Sequence, residues 1–458
     1  MKRTILHSVI ILALLLMLVS TVATAAPAVK KIGINVVLNT SVTDSILSDL
    51  STHGKVFKQM VEINAVTMQV PETELPVIQA LPYVAAANPD QVRNGAPVDT
   101  VAATDFSDGM STWDLDAVNV TDYGLGRTIA FDGTGVYVAV VDTGLLDSWR
   151  NYFPQERIAT EYGKAFNGGG GENGNVSEPT NKWEHDQNSH GTHVTSTILG
   201  YSLLGTKING VAPMATIIPV KVLNQNGSGW SSVVAAGIVY VADLKAGPLK
   251  DHPVVINMSL GGPSLDAMEK AAVDYAISKG VIIVASAGNE GDAGMGYPGA
   301  YAPVISVAAS GWVGEWETPG SWWRTSNVPD PTNAEDYYIT DFSSRQHEGQ
   351  DLDVAAPGSW IVGPYQKNSG TLQLSYYYLG GTSMASPHVA GIVALMAQKD
   401  PALTAAAAET ALEGSAIALP AGCRDIVDPN VGPTQICWGD DAAGAGLATA
   451  DAALNAIP

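Results

Sequence analysis

The chain has 458 residues, of which 46% are hydrophobic and 15% are charged, so it can bury a sizeable core and is not a disordered polyelectrolyte. Its 45 acidic residues against 23 basic residues give a formal net charge of −22 at pH 7. Such a negative field repels nucleic acids and anionic membranes, so neither is an expected partner.

The first residues have the composition of an export signal. Lys2 and Arg3 precede an almost wholly apolar run, residues 5–22, and small residues follow up to Ala25. This order predicts a signal peptide over residues 1–25 and therefore a secreted, extracellular protein. The alternative is an uncleaved membrane anchor, because the run is nearly long enough to span a bilayer. No later segment is that long and apolar, so we expect no membrane association after signal cleavage.

A small α+β module is predicted over residues 30–92. Apolar patterning in it predicts strands and helices in the order β-α-β-β-α-β, the ferredoxin-like arrangement, over residues 32–38, 42–50, 56–70, 73–81 and 83–87. The polar stretch that follows has little periodicity. Residues 93–112 are therefore predicted to be an exposed linker that is open to proteolysis and carries the maturation cleavage.

Strands alternate with helices in the rest of the chain, residues 113–458. Continuous apolar runs of strand length recur there, at Val136–Val141, Val254–Met258, Val281–Ala285 and Val304–Ala308. Helical segments such as 231–245 and 265–279 lie between them. This pattern predicts an α/β fold: a doubly wound, mostly parallel sheet with helices on both faces. Functional sites of such sheets gather at the carboxyl ends of the strands.

Two stretches have the composition of surface insertions. Residues 167–180 are rich in Gly and Asn and are expected to form a flexible loop, since no GK[ST] follows to make a phosphate site. Residues 311–338 carry four tryptophans at 312, 316, 322 and 323. We expect these rings to anchor the insertion by packing; the alternative is that they border a substrate cleft.

Ser383 is the candidate nucleophile. It follows two glycines and a threonine at a turn into a helical, small-residue run. Most serines at such a place cap the helix, but the free backbone N–H groups there can also hold an oxyanion. Its base must lie upstream, because no histidine follows His388, and His388 is too close to turn back. This excludes the serine, acid, histidine order of α/β-hydrolases.

His190 is the candidate base. A polar loop leads into it and an apolar helix follows, so it lies at a helix start where it can face a cleft. His193 is one turn further on and is interpreted as structural. A metal site is the alternative for this pair, but no Cys is nearby and the H-E-x-x-H pattern is absent.

Asp142 and Asn289 complete the candidate site. Asp142 ends the buried run 136–141, and a carboxylate there needs a partner, such as a histidine whose tautomer it fixes. Asn289 follows the strand 281–285 in a Gly-rich turn, and its amide can donate to a developing oxyanion. The alternative for Asn289 is an ordinary turn residue.

The only two cysteines, Cys423 and Cys437, lie close together near the end of the chain. In an exported protein they are expected to pair as a disulfide. Two buried free thiols are the alternative.

These motifs together resemble the subtilisin family of serine proteases, also called subtilases or peptidase S8. The segments VAVVDTGL, NSHGTHV and GTSMASPHVAG occur in the family's order, with AGNEG between the last two. The resemblance covers roughly residues 113–454. It implies that Asp142, His190 and Ser383 form a catalytic triad and that Asn289, with the Ser383 N–H, binds the oxyanion.

The resemblance also implies how substrates bind and how the enzyme is controlled. Ser259, Leu260 and Gly261 are similar to the strand that pairs with the substrate backbone, and Ala287 and Gly288 line the primary pocket beside it. Residues 30–92 are similar to an inhibitor I9-like prodomain, which helps folding and occupies the cleft until it is removed by self-cleavage. Protein or peptide substrates and its own prodomain are the expected partners of a monomeric enzyme.

No cofactor is required for the implied reaction. Many family members bind structural calcium through a loop that corresponds to residues 203–208. That loop lacks the usual Asn or Asp and carries Lys207, and Asn151 replaces an expected acidic ligand, so the usual site is not recognisable. Calcium binding elsewhere on this acidic chain stays open, and the metal ligands are unknown.

Three other functions fit the sequence less well. A non-catalytic binding protein with this fold would normally lack a triad residue, and none is missing here. A serine-carboxyl peptidase would have Glu as base and Asp at the oxyanion position, in place of His190 and Asn289. A proprotein processor has no downstream domain to support it.

Overall fold

The N-terminal module is a four-stranded antiparallel sheet with two helices packed on it. The computed structural model describes residues 30–102, 112–121, 127–168, 174–318, 322–325, 328, 333–366 and 375–458. The predicted signal peptide lies outside them. The strand order is β2-β3-β1-β4, and the elements of the module are β1 (Lys31–Leu38), α1 (Asp44–His53), β2 (Lys55–Met60), β3 (Ala65–Pro71), α2 (Leu75–Gln79) and β4 (Val84–Pro89). Their order is the β-α-β-β-α-β order expected from the apolar pattern.

The next segment differs from the exposed linker that the sequence predicted. Strands β5 (Val92–Asn94) and β6 (Asp99–Ala102) form there, and each pairs with a strand from much later in the chain. Arg93, the middle residue of β5, is fully buried. The segment predicted as a linker therefore contains two paired strands, although Asn94, Ala96 and Val98 in it are exposed. Residues 103–111 lie outside the described part.

The rest of the chain builds the large domain. Its strands are β7 (Tyr137–Asp142), β8 (Lys164–Ala165), β9 (Gly200–Leu203), β10 (Thr206–Asn209), β11 (Thr216–Lys221), β12 (Ser228–Trp230), β13 (Val254–Met258), β14 (Val281–Ser286), β15 (Ile305–Trp312), β16 (Tyr337–Ile339), β17 (Val354–Pro357), β18 (Ile361–Pro364), β19 (Tyr376–Gly380), β20 (Gly422–Asp428) and β21 (Gly432–Trp438). Its helices are α3 (Trp113–Ala117), α4 (His190–Leu199), α5 (Ser231–Ala246), α6 (Ala267–Ser278), α7 (Trp322–Thr325), α8 (Thr382–Lys399), α9 (Ala405–Ser415) and α10 (Ala450–Ala456).

Eight strands form the central sheet. Their order is β16-β15-β14-β13-β7-β11-β8, with β17 also pairing with β15. Every pair is parallel except β15 with β16. This arrangement confirms the predicted α/β fold with a mostly parallel sheet.

Helices cover both faces of this sheet, which explains its continuous apolar strands. Val138 and Val140 of β7 point into a core that contains residues of α4 and α8. Ala139 and Val141 point into a second core, with residues of α5 and α6. Successive side chains of a strand point to opposite faces, so every position of β7 needs an apolar residue. The polar exception is Asp142, which is the last residue of the strand.

Two features near the end of the chain agree with the sequence. Cys423 and Cys437 lie directly opposite each other in the β20–β21 hairpin and form the predicted disulfide. None of the helices in the described ranges combines the length and the apolar character needed to cross a bilayer.

The tryptophans of the insertion 311–338 pack together, as predicted. The Trp316 ring lies 4.6 Å from the Tyr378 ring and 5.6 Å from the Trp360 ring, measured between centroids. The Trp322 ring stacks on the Tyr378 ring, with nearly parallel planes and centroids 5.9 Å apart. Trp322 and Trp323 are almost completely buried. The rings therefore anchor the described part of the insertion to β19.

Glu315 is a buried acid within this insertion. Its carboxyl group accepts hydrogen bonds from the Trp312 N–H, the Tyr338 hydroxyl and the Ser359 hydroxyl at 2.7–3.0 Å. Burial raises the pKa of Glu315 to about 8, although these hydrogen bonds favour the ionised form. The native state thus binds a proton that the unfolded chain releases near its ordinary pKa of about 4.5.

We expect Glu315→Gln to remove one pH dependence of stability. In the wild type, the native state binds more protons between about pH 4.5 and pH 8, so the free energy of unfolding falls as pH rises through that window. The amide is neutral throughout and mimics the protonated acid. Calorimetry should show similar melting temperatures near pH 5 and a variant that melts several degrees higher near pH 8.5.

The matched control for this comparison is Glu317→Gln, two residues away and exposed. It should shift the melting temperature by the same small amount at every pH. A parallel shift in Glu315→Gln as well would show that Glu315 does not titrate in this window.

Candidate active site

Asp142 and His190 meet at the carboxyl edge of the central sheet. His190 is the first residue of α4, and its Nδ1 lies 2.8 Å and 2.9 Å from the two carboxylate oxygens of Asp142. Both side chains are fully buried. The Thr143 N–H also donates to Oδ1 of Asp142 at 2.6 Å. A buried carboxylate with these partners holds the imidazole so that Nδ1 carries the proton and Nε2 is free to accept one.

Asp186 organises the turn that leads into His190, and the sequence analysis missed it. Its carboxylate accepts hydrogen bonds from the Ser189 N–H, the Asn188 N–H and the Thr143 hydroxyl at 2.7–2.8 Å. The same hydroxyl accepts a bond from the Gly191 N–H at 2.9 Å. Burial raises the pKa of Asp186 to about 6, against the opposing charge of Lys221. A loop aspartate four residues before a candidate base was the only available sequence signal.

Ser383 is the second residue of α8 and is almost completely buried. Its hydroxyl donates to the Ser259 carbonyl at 3.3 Å, and the Ser259 hydroxyl donates to the Ser383 carbonyl at 2.8 Å. Nε2 of His190 is buried and has no hydrogen-bond partner among the described residues. The structure thus joins Asp142 to His190 directly, whereas Ser383 bonds to the neighbouring strand end.

Asn289 lies in the turn after β14 and faces the start of α8. Its Oδ1 accepts hydrogen bonds from the N–H and the hydroxyl of Thr382, both at 2.9 Å. The amide NH₂ of Asn289 therefore points away from Thr382. Gly288, which has φ +110°, donates its N–H to the same Thr382 hydroxyl at 3.2 Å. This arrangement fixes an amide donor beside the residue that precedes Ser383.

The side chain of Glu290, next in this turn, already has partners. Its Oε2 accepts from the Asn289 N–H at 2.7 Å and the Ser344 hydroxyl at 3.1 Å. It folds back on its own turn, so it is a poor candidate for selecting a basic residue in the primary pocket. Ala287 and Gly288 come before Glu290 in the same turn, and Ala287 is fully buried.

A segment of the chain itself fills the groove between β12 and residues 259–261. Asn94 and Gly261 exchange two backbone hydrogen bonds of 2.9 Å, and the Gly95 N–H donates to the Gly227 carbonyl at 2.8 Å. Further along, the Val98 N–H donates to the Gly380 carbonyl at 2.7 Å. Strand β5 thus pairs with β12 on one side, and its last residue, Asn94, pairs with Gly261 on the other, which is how an extended peptide adds to a sheet.

The segment passes directly over the candidate catalytic side chains. A β-carbon built on Gly95 would lie 3.4 Å from Cε1 of His190 and 2.6 Å from the Ser259 carbonyl oxygen, which accepts the Ser383 hydroxyl bond. Beyond it, the Cα of Pro97 would lie 3.7 Å from a β-carbon built on Gly381. Ala96 is the residue between these two points.

The other buried histidines have structural contacts. Nε2 of His193 donates to the Ile361 carbonyl at 3.1 Å, and burial lowers the pKa of His193 to about 3. His388 contacts the Met384 carbonyl through Nδ1 and Asp114 through Nε2. These contacts agree with the interpretation of His193 as structural and with the exclusion of His388 as the base.

One cluster of carboxylates in the described part could hold a cation. Oxygen atoms of Asp351, Asp353 and Glu409 lie within 4.8 Å of one another, and carboxylate oxygens are the donors that calcium prefers. The loop 203–208 is instead the β9–β10 hairpin, with an exposed lysine at 207.

Comparisons with known proteins identify the family of the chain. The model of the subtilase family matches residues 133–448. Subtilisin E of Bacillus subtilis is 33% identical over 369 residues, which cover 79% of this chain and 78% of the relative. Thermitase of Thermoactinomyces vulgaris is 35% identical over 268 residues, 58% of this chain and 77% of the relative.

Solved structures give the same result. Fervidolysin from Fervidobacterium pennivorans, described as a keratinolytic enzyme related to subtilisin, has a TM-score of 0.65 at 25% identity. The match covers 93% of this chain but only 61% of fervidolysin, so this chain spans less than two thirds of it. The fold of fervidolysin matches over nine tenths of the chain, and the family model covers most of the large domain. The chain belongs to the subtilase family and is a serine-type endopeptidase.

Proposed function

We propose that this protein is a secreted endopeptidase that cleaves proteins through a triad of Asp142, His190 and Ser383 and is made as a self-processed zymogen. The observation that carries the proposal is the pair of hydrogen bonds that Nδ1 of His190 donates to the carboxylate of Asp142. They leave Nε2 as the proton acceptor, beside the strand end to which the Ser383 hydroxyl is bonded.

The reaction follows from these positions. The Ser383 Oγ attacks the carbonyl carbon of the substrate, and His190 Nε2 takes the hydroxyl proton. The same proton passes to the leaving amine when the peptide bond breaks, and an acyl-enzyme remains on Ser383. Water then attacks the acyl group with His190 again as base. The bond from the acyl carbon to Ser383 Oγ breaks, His190 returns the proton to Oγ, and the acid product leaves. Asp142 stabilises the imidazolium in both halves. Catalysis in this family needs no cofactor, and structural calcium is possible at the cluster of Asp351, Asp353 and Glu409.

The oxyanion is stabilised by two donors. The proposed donors are the amide NH₂ of Asn289, which is left free because Oδ1 is held by Thr382, and the backbone N–H of Ser383, the next residue. Donors fixed before the reaction stabilise the charge that develops in the transition state without further reorganisation.

Asn289→Ala should lower kcat by about 10²–10³, a figure carried over from the corresponding substitution in subtilisin itself. KM should change little, because the lost hydrogen bond forms mainly in the transition state. Steady-state kinetics on a peptide anilide measure both constants. The exposed turn residue Asn430 gives the matched control, Asn430→Ala, with unchanged kinetics. An unchanged kcat in Asn289→Ala would remove Asn289 from the oxyanion site.

The zymogen proposal rests on the N-terminal module and the segment that follows it. Residues 1–25 are the signal peptide, residues 30–92 are the inhibitory prodomain, and residues 93–112 carry the maturation cut that releases the peptidase domain, residues 113–458. Backbone bonds from Asn94 to Gly261 and from Gly95 to Gly227 support inhibition, since Ser259, Leu260 and Gly261 would otherwise pair with a substrate. The mature enzyme is proposed to act as a monomer.

Covalent labelling tests the proposal as a whole. The secreted protein is incubated with a serine-directed phosphonate, and the modified residue is identified by mass spectrometry. Labelling at Ser383 with loss of casein hydrolysis is the expected result. Absence of labelling after complete removal of the prodomain would favour a non-catalytic binding protein instead.

A further inference from the structure

Arg93 forms a fully buried ion pair with Glu269. Nε of Arg93 lies 3.0 Å and 3.1 Å from the two carboxylate oxygens, and Nη2 lies 2.5 Å from Oε2. Both side chains are 0% exposed. Nη2 also donates to the Ser264 carbonyl at 3.0 Å. Such two-pronged contacts suit the planar guanidinium and not the point charge of a lysine.

The partners of Arg93 in this pocket belong to the peptidase domain, while Arg93 belongs to the segment in the cleft. Glu269 lies in the first turn of α6, and Ser264 lies in the loop before that helix. Gly262 makes room for the guanidinium, because a β-carbon at this position would lie 2.6 Å from Nη1 of Arg93. The pocket therefore stays with the peptidase domain when the prodomain is removed, whereas Arg93 leaves with the prodomain.

The position of Arg93 along the cleft is defined by its neighbours. Asn94 is paired with Gly261, Gly95 lies against His190, and Pro97 lies against Gly381. Ala96 is the residue between these contacts, so its carbonyl carbon is taken as the one that Ser383 would attack. Arg93 is then the fourth residue before the bond at the nucleophile. A substrate bound in the same register places its own fourth residue in the pocket of Glu269.

The electrostatics of the pocket favour a cation. Burial raises the pKa of Glu269, and Arg93 opposes that rise. Burial lowers the pKa of Arg93, but the charge and hydrogen bonds of Glu269, together with the charges of Asp266 and Asp90, leave the pKa raised. Asp266, also in the peptidase domain, adds a second negative charge. Removing one partner of a buried pair leaves the other charge uncompensated, which is far more unfavourable than keeping both.

We propose that Glu269, with Ser264 and Gly262, forms a subsite that selects protein substrates with arginine at the fourth residue before the cleaved bond. This inference rests on the proposed function. Arg93 fills the subsite in the zymogen, and the arginine of a substrate fills it in the mature enzyme.

Peptides copied from residues 93–96 test the subsite. The full chain is expressed and allowed to process itself, and casein hydrolysis establishes activity. Acetyl-Arg-Asn-Gly-Ala-p-nitroanilide is then compared with peptides that have citrulline, lysine or leucine in place of the arginine. Citrulline has nearly the shape of arginine without its charge. We expect kcat/KM for the arginine peptide to exceed that for the citrulline peptide by about tenfold or more.

Variants of helix α6 locate the selectivity. Glu269→Gln should bring the ratio of kcat/KM for the arginine peptide to that for the citrulline peptide below about threefold. Asp274→Asn is the matched control, since Asp274 is an exposed acid on the same helix, and it should keep the full ratio. If Glu269→Gln does not mature, the peptide series on the wild-type enzyme still tests the proposal.

The outcomes are distinguishable. Casein hydrolysis with equal cleavage of the arginine and citrulline peptides would overturn the subsite and leave the proposed function intact. Absence of both casein hydrolysis and phosphonate labelling would overturn the proposed function, and the subsite with it. A preference for arginine that persists in Glu269→Gln would also contradict the assignment, because another group would then be responsible.

Discussion

Ser383→Ala should abolish peptide hydrolysis and leave the prodomain attached. Without the Oγ nucleophile no acyl-enzyme forms, and kcat should fall by about 10⁶, a figure carried over from the same substitution in subtilisin. The remaining donors and the binding groove should still accelerate hydrolysis by about 10³–10⁴ over the uncatalysed reaction. Anilide kinetics measure the loss, and the mass of the secreted protein shows whether residues 30–92 are retained.

Ser278→Ala is the matched control, because this serine is exposed at the end of α6 and bonds only to its own helix. It should mature normally and keep full activity. Normal maturation of Ser383→Ala, in contrast, would show that another protease removes the prodomain and would contradict self-processing.

Asp142→Asn should lower kcat by about 10⁴, the magnitude found when trypsin, which has the same trio on another fold, loses its aspartate charge. The Asn oxygen can still accept from the Thr143 N–H, so the amide NH₂ turns to His190 Nδ1. Nδ1 must then accept, and the ring proton moves to Nε2. An imidazole that is protonated at Nε2 cannot take the proton from Ser383.

The chain offers a closely matched control in Asp147→Asn. Asp147 also contacts a histidine, His185, at 2.8 Å, but both side chains are largely exposed. Its neutralisation should leave kcat unchanged. A loss of less than about tenfold in Asp142→Asn would show that the tautomer of His190 is fixed by other groups.

The sequence predicted the elements that hold the candidate site because each has a strong local pattern. Asp142 ends a strand that is apolar at every position, since two helical layers cover it. His190 and Ser383 each follow a polar or Gly-rich turn and open an apolar helix. Such patterns report on burial and on chain turns, which is enough to place these residues at one sheet edge.

The contacts that fill the site could not be predicted in this way. Arg93 and Glu269 are separated by 176 positions, and nothing local to either indicates the other. Strands β5 and β6 have no apolar alternation, because their stability comes from backbone pairing to β12 and β19. Asp186 is likewise recognised only by its partners Thr143 and Ser189, which the folded turn brings together.

The segment in the cleft is held at both ends, by β5 on one side of Ser383 and by β6 on the other. Before maturation, its occupancy of the cleft is an intramolecular equilibrium with an effective concentration on the order of millimolar, whatever the enzyme concentration. Once the chain is cut, the same residues become a separate ligand whose occupancy follows mass action. In the proposed zymogen, dilution then becomes an activating step, which it is not for the uncut chain.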